Sequence, residues 1–398
     1  MVAGAVPQQV ATAVDDEARV AVRRSRKYFP ELESLRGIAI LLVFFYHADG
    51  VITAAPHHAS LPVAYMRAGH TGVALFFVLS GFLLSLPFLA EAAGGRRQSR
   101  REYYLRRALR ILPAYYTAVI VAMALSARRF GDVLQWWPFF IFTKALTPQD
   151  SLWPYSIGWW SLATEVQFYV ILPLLALAFR SRPRILLVLA LYALAYLSFE
   201  ARLWHLPSLR WQLEMHSNVF GRSPLFAWGI FTAWLYRTHG DAIRARLAAV
   251  PWVRAGGADV ALLVVFVALG FLLRWEVGWG FWDAEKPPRH AWHVAEGALW
   301  ASVVLLLLLA PLRTKRLFVN GLLGGLGVVS YSLFLIHIPV MAISVMMLRF
   351  GAPDSYRAWN VQSLALTAAL FALCVAASVA TYWAIERPFL VRKARLDR

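Results

Sequence analysis

Charge is scarce in this chain. Only 16% of its 398 residues are Asp, Glu, Lys or Arg, where a soluble domain carries roughly a quarter. Long apolar runs take the place of the missing charge: 60% of the residues are hydrophobic and the mean hydropathy is +0.55. That excludes an ordinary water-soluble domain and places the chain among membrane proteins. Acidic residues are scarcer still, 22 against 40 basic ones, for a net charge of +18. The basic residues sit in short clusters between apolar runs, as in cytoplasmic loops. The excess is therefore read as topology, and nucleic acid is not expected as a partner. Lysine supplies only 5 of the 40 basic residues, a skew typical of GC-rich bacterial genomes. The single cysteine, Cys374, lies in the last apolar run and has no partner for an intramolecular disulfide. Residues 1–27 are polar and lack the apolar core of a signal peptide. They read as a disordered cytoplasmic tail, with 393–398 as a second short tail.

A bilayer crossing needs about 20 apolar residues. Ten runs qualify, near 35–53, 70–90, 109–126, 160–180, 184–202, 219–237, 257–275, 293–312, 327–349 and 362–385. The expected fold is thus all-α, a polytopic bundle of about ten transmembrane helices filling residues 28–392. Placing the N-terminus inside and alternating puts 27 basic residues in inner segments and 11 in outer ones. That bias sets both termini in the cytoplasm. The stretch 132–145 is apolar but too short to span. It reads as interfacial, with Trp136 and Trp137 at headgroup depth.

Ionisable groups within a bilayer cost several kcal/mol, so each needs a reason. Arg36, His47, Glu165, His337 and Glu386 stand out, and Ser80 joins them on chemical grounds. Arg36 and His47 are eleven residues apart. Eleven steps of about 100° return to nearly the same helical face, with a rise of roughly 16 Å. An imidazole inside a membrane suits general acid–base work, or a structural hydrogen bond between helices. His337 and Ser80, each about ten residues into its own run, are expected at the depth of His47. Ser80 beside Gly81 also suits close helix packing. Glu165 calls for an Arg or His partner, either to orient an imidazole or as a structural ion pair. Glu386 reads as an anchor for a loop arginine. Arg107 and Arg110, one turn apart in the basic run RRQSRREYYLRRALR, can grip phosphates bidentately, though basic loops are expected there in any case. His57, His58, His290 and His293 fall in outer loops without a carboxylate or cysteine cluster, so no metal site is expected. The aromatic stretch 275–292 suits an interfacial belt or stacking on sugar rings.

Six fragments stand in order along the chain: LESLRGIAILLVFFYH, GVALFFVLSGFLLS, RRALRILPAYY, WSLATEVQFYVILP, GVVSYSLFLIHIPV and YWAIERPF. Together they resemble the acyltransferase-3 family of bacterial membrane proteins over about residues 28–392. The resemblance implies O-acyl transfer, often acetyl, to a hydroxyl of a carbohydrate, glycolipid or glycosylated, macrolide-like metabolite. The implied donor is cytoplasmic acyl-CoA, with no tightly bound cofactor and no metal. It also implies a multi-pass protein of the bacterial cytoplasmic membrane. Many members carry a C-terminal SGNH-type esterase domain; this sequence ends thirteen residues after its last apolar run and so resembles the stand-alone members. On this reading Arg107 and Arg110 bind the donor phosphates and Arg36 guards the cavity mouth. His47 is the general base or an acylated nucleophile, Glu165 or His337 assists it, and Tyr331 or Ser80 donates to the thioester oxygen. The rival reading is a transporter or flippase with a midplane ionisable site.

Overall fold

A computed structural model describes residues 28–52, 65–127, 130–143, 155, 157–203, 217–278, 292–349 and 361–395. Ten long helices occupy the ten apolar runs: α1 Pro30–Ile52, α2 Thr71–Ala92, α3 Arg100–Ser126, α4 Trp160–Leu175, α5 Arg182–Leu203, α6 Ser223–Ala249, α7 Ala258–Gly278, α8 Trp292–Leu309, α9 Gly321–Arg349 and α10 Val361–Thr381. Eight of the crossings are long and apolar enough by length and composition alone. The other two are α1, which carries Glu31, Glu33, Arg36, His47 and Asp49, and α6, whose second half reads RTHGDAIRARLAA. No strand occurs among the described residues.

Several boundaries differ from expectation for local reasons. Helix α3 begins at Arg100, nine residues before the apolar run, because Ser99 caps it by accepting a hydrogen bond from the Glu102 N–H. Arg107 and Arg110 therefore lie on a helix and not in a loop. The C-terminal segment stays helical through Arg395, so 393–395 is not a loose tail. The stretch after α3 forms two short helices, Phe130–Leu134 and Trp137–Phe140. They are pinned by Tyr115 donating to the Phe139 carbonyl at 3.0 Å and Tyr116 to that of Phe140 at 2.9 Å. Trp136 is buried there and only Trp137 is exposed, so the two tryptophans do not share one environment. Trp275 and Glu276 belong to the end of α7, and His293 to α8. Residues 1–27, His57, His58, His290 and most of 275–292 lie outside the described residues.

Helix α1 forms the axis of the bundle, with Leu35, Ala39, Ile40, Val43 and Phe44 fully buried. It runs parallel to α9 at very close range. A Cβ on Gly37 would overlap the Leu323 carbonyl, and one on Gly327 the Glu33 carbonyl. Small residues are what allow helix backbones to approach so closely in a membrane. Parallel α1 and α9 agree with the alternating topology, which starts both helices on the same side. A second tight crossing joins α2 to α6, where a Cβ on Gly81 would lie 3.0 Å from the Gly229 Cα. Helix α5 sits at the periphery and turns Leu186, Leu187, Leu191, Leu194 and Leu197 outward, as a lipid-facing helix does.

Candidate active site

The α1–α9 contact brings two histidines together from opposite ends of the sequence. His337 Nε2 lies 3.1 Å from His47 Nδ1. His337 Nδ1 faces two backbone carbonyls, of Leu333 at 2.8 Å and Phe334 at 3.0 Å. Carbonyls only accept, so His337 Nδ1 carries the proton and its Nε2 is the acceptor. His47 Nδ1 faces that nitrogen and the Val43 carbonyl at 2.9 Å, so it too must donate. The lone pair of neutral His47 is thereby placed on Nε2, away from both bonds. His337 is fully buried, while His47 stays partly accessible. The two imidazoles, expected at one depth, lie within hydrogen-bond distance of each other.

Ser80 does not join them. Helices α1 and α2 are antiparallel, with Gly69 beside the Leu42 carbonyl and Gly72 beside that of Ala39. Ser80, eight residues on, is carried some 12 Å toward the inner end, nearer the level of Arg36 than of His47. There its hydroxyl donates to Glu165 Oε1 at 2.5 Å, and Tyr169 donates to the same oxygen at 2.6 Å. Glu165, expected beside an Arg or a His, is held by these two hydroxyls.

These groups line a cavity of about 100 Å³ with Arg36, Arg107, Arg110, Tyr331 and Phe334. The Nε atoms of Arg36 and Arg107 are buried and have no hydrogen-bond partner. Arg107 lies over the Tyr169 ring at 5.8 Å. Arg110 is committed differently: it pairs with Glu386 at 3.5 Å and lies over the Tyr331 ring at 5.7 Å. Glu386 also accepts from Ser332, so its arginine comes from α3 and not from a loop. The Tyr331 hydroxyl donates to the Ile111 carbonyl at 2.8 Å. The hydroxyl protons of Tyr331 and Ser80 are thus both in use, which leaves neither as a ready donor to a thioester oxygen. Unsatisfied guanidinium N–H groups in a small buried space are what an anionic ligand would complete.

A second buried polar group lies beyond His47, at the opposite end from the arginine cavity. Tyr46 bridges to it, its ring 5.0 Å from that of His47 and 5.6 Å from that of His70. His70 Nε2 meets Glu276 Oε1 at 2.6 Å. Arg222 donates to His293 Nε2 at 2.6 Å, so His293 must carry its proton on Nδ1, which meets Glu296 Oε2 at 2.8 Å. With His293 neutral, two carboxylates face Arg222 and His70. Sequence reasoning missed this cluster. Arg222 and Glu296 stand within four residues of the outer ends of their runs and Glu276 one residue past its own, where charge is normally read as headgroup contact. His293, taken for a loop residue, is buried in α8. Among the described residues no three metal-ligating side chains converge.

A family described as an acyltransferase domain (acyltransferase-3) matches residues 29–383. Similar curated proteins include the peptidoglycan O-acetyltransferase OatA of Listeria monocytogenes, 22% identical over 84% of this chain and 53% of the relative. The putative peptidoglycan O-acetyltransferase YrhL of Bacillus subtilis is 25% identical over 91% of this chain and 55% of the relative. The putative membrane-bound transacylase BcsY of Komagataeibacter xylinus is 25% identical over 90% of this chain and 82% of the relative. The chain spans about half the length of the first two. No solved structure matches.

Proposed function

Because the chain belongs to the acyltransferase-3 family, we propose that it is a multi-pass O-acetyltransferase of a bacterial cytoplasmic membrane. It moves an acetyl group from cytoplasmic acetyl-CoA to a hydroxyl of a carbohydrate, glycolipid or glycosylated metabolite. The names of its peptidoglycan-modifying relatives favour a polysaccharide-like acceptor.

The observation that carries the proposal is the proton arrangement of the histidine pair. His47 Nε2 holds an open lone pair, while Nδ1 is fixed by His337 and the Val43 carbonyl. Such an imidazole is a general base with its direction already set. His47 Nε2 takes the proton from the acceptor hydroxyl as the oxygen attacks the thioester carbon. The C–S bond then breaks, and the same proton passes to the departing thiolate, giving an ester and free CoA. The imidazolium formed on the way is stabilised by the two acceptors on its Nδ1–H. Arg36 and Arg107, whose Nε atoms lack partners, hold donor phosphates, with Arg110 braced beside them by Glu386. The pantetheine arm bridges the roughly 16 Å from Arg36 to His47 along α1.

The test uses purified full-length protein in lipid nanodiscs with radiolabelled acetyl-CoA. Acetyl transfer or hydrolysis that disappears in His47→Ala supports the reading. Full activity in that variant overturns the mechanism, and a wild type that consumes no acyl-CoA returns the protein to the transporter class. Mass spectrometry of envelope glycans and secreted metabolites from a deletion strain identifies the acceptor by its missing acetyl mass.

A further inference from the structure

The cavity that holds Arg36, Ser80 and Glu165 ends at an aromatic wall. Phe334 lines it one turn before His337, with the two rings 6.0 Å apart. Phe76 from α2 lines it too and meets Phe334 edge-to-face at 6.4 Å and 81°. On another side Phe334 is backed by the main chain at Gly158, where an added Cβ would lie 3.6 Å from its Cζ. The adjacent Trp159 indole donates to the Leu335 carbonyl at 3.2 Å and locks this segment to α9. Phe334 is therefore held in place on the cavity wall nearest the histidine pair.

We propose that Phe334, braced by Phe76, sets the length of the acyl group this protein accepts and restricts it to short chains. This rests on the acyl-CoA reading given above. An acyl-CoA entering from the arginine side advances tail first, with its carbonyl behind. Whatever lies beyond the carbonyl must fit between it and the Phe334 ring. A cavity of about 100 Å³ is well below the roughly 300 Å³ at which whole-ligand pockets begin. It accommodates the reacting end of the donor and not an extended alkyl chain. Each added methylene holds the reacting carbon farther from His47.

The experiment measures kcat/KM of the purified full-length protein with acetyl-, propionyl-, butyryl- and hexanoyl-CoA. The wild type is expected to lose at least tenfold between acetyl and butyryl, within the range that one or two misfitting methylenes command. Phe334→Ala should raise the butyryl-to-acetyl ratio at least tenfold, and Phe76→Ala by less. Phe334→Leu repeats the test with a smaller change in packing if the alanine variant fails to fold. Phe231→Ala, on the exposed face of α6, should leave the ratio unchanged. An unaltered ratio in folded Phe334 variants that still turn over acetyl-CoA overturns this inference and leaves the acyltransferase reading standing. A wild type inactive on every chain length overturns both.

Discussion

His337 Nε2 accepts a hydrogen bond from His47 Nδ1 across 3.1 Å, and the direction of that bond is dictated by two backbone carbonyls behind His337. A histidine here does for its neighbour what a carboxylate does in a hydrolase triad, without adding a negative charge to the membrane interior.

The two histidines should therefore fail differently. His47→Ala removes the base and is expected to lower kcat by roughly 10²–10⁴. His337→Ala leaves the base misaligned and should cost roughly 10–100-fold, the penalty seen when the outer hydrogen-bond partner of a metal-bound imidazole is removed. His337→Asn, which can present an amide oxygen to His47 Nδ1, should recover part of that loss. Steady-state kinetics on the three variants decides, and equal effects from His337→Asn and His337→Ala would count against the orienting role.

Arg107 and Arg110 are next to each other on α3 yet should give unlike phenotypes. Arg36→Ala and Arg107→Ala each remove a charge-assisted contact worth about 1.5–3 kcal/mol, so the donor KM should rise roughly 10- to 150-fold with kcat largely kept at saturation. Arg110→Ala strands the buried Glu386 and should destabilise the fold by about 3 kcal/mol or more. The Arg110→Met, Glu386→Leu double variant should regain much of that stability. Thermal unfolding in detergent, read beside donor titrations, separates binding from structure.

The tight crossing of α2 and α6 allows no added side chain. Gly81→Ala places a methyl against the Phe226 carbonyl and the Gly229 Cα and should cost about 1–3 kcal/mol as overpacking. A Gly81→Ala protein with wild-type unfolding behaviour would show that the helices can separate cheaply there.

The helical runs and the buried ionisable groups were legible in the sequence, because apolar length and buried charge are both local signals. Depth was not. Counting Ser80 inward from the start of its run assumed that every helix begins at the membrane surface. Gly69, however, already packs beside Leu42 and Tyr46, well below the end of α1. The role of Arg110 was hidden for another reason: its partner Glu386 lies 276 residues away, and no spacing rule reaches that far. The same holds for Arg222, Glu276 and Glu296, each a lone charge near the end of a different helix.

The parallel contact of α1 and α9 also sets a clock. His47 and His337 are 290 residues apart, so a ribosome adding roughly 5–20 residues per second needs about 15–60 s after making the first histidine to make the second. Throughout that interval α1, which carries Glu31, Glu33, Arg36, His47 and Asp49, must reside in the bilayer without the helix that covers it. Nascent chains arrested before α9 should therefore be inert, and they are the species on which membrane quality control has most time to act.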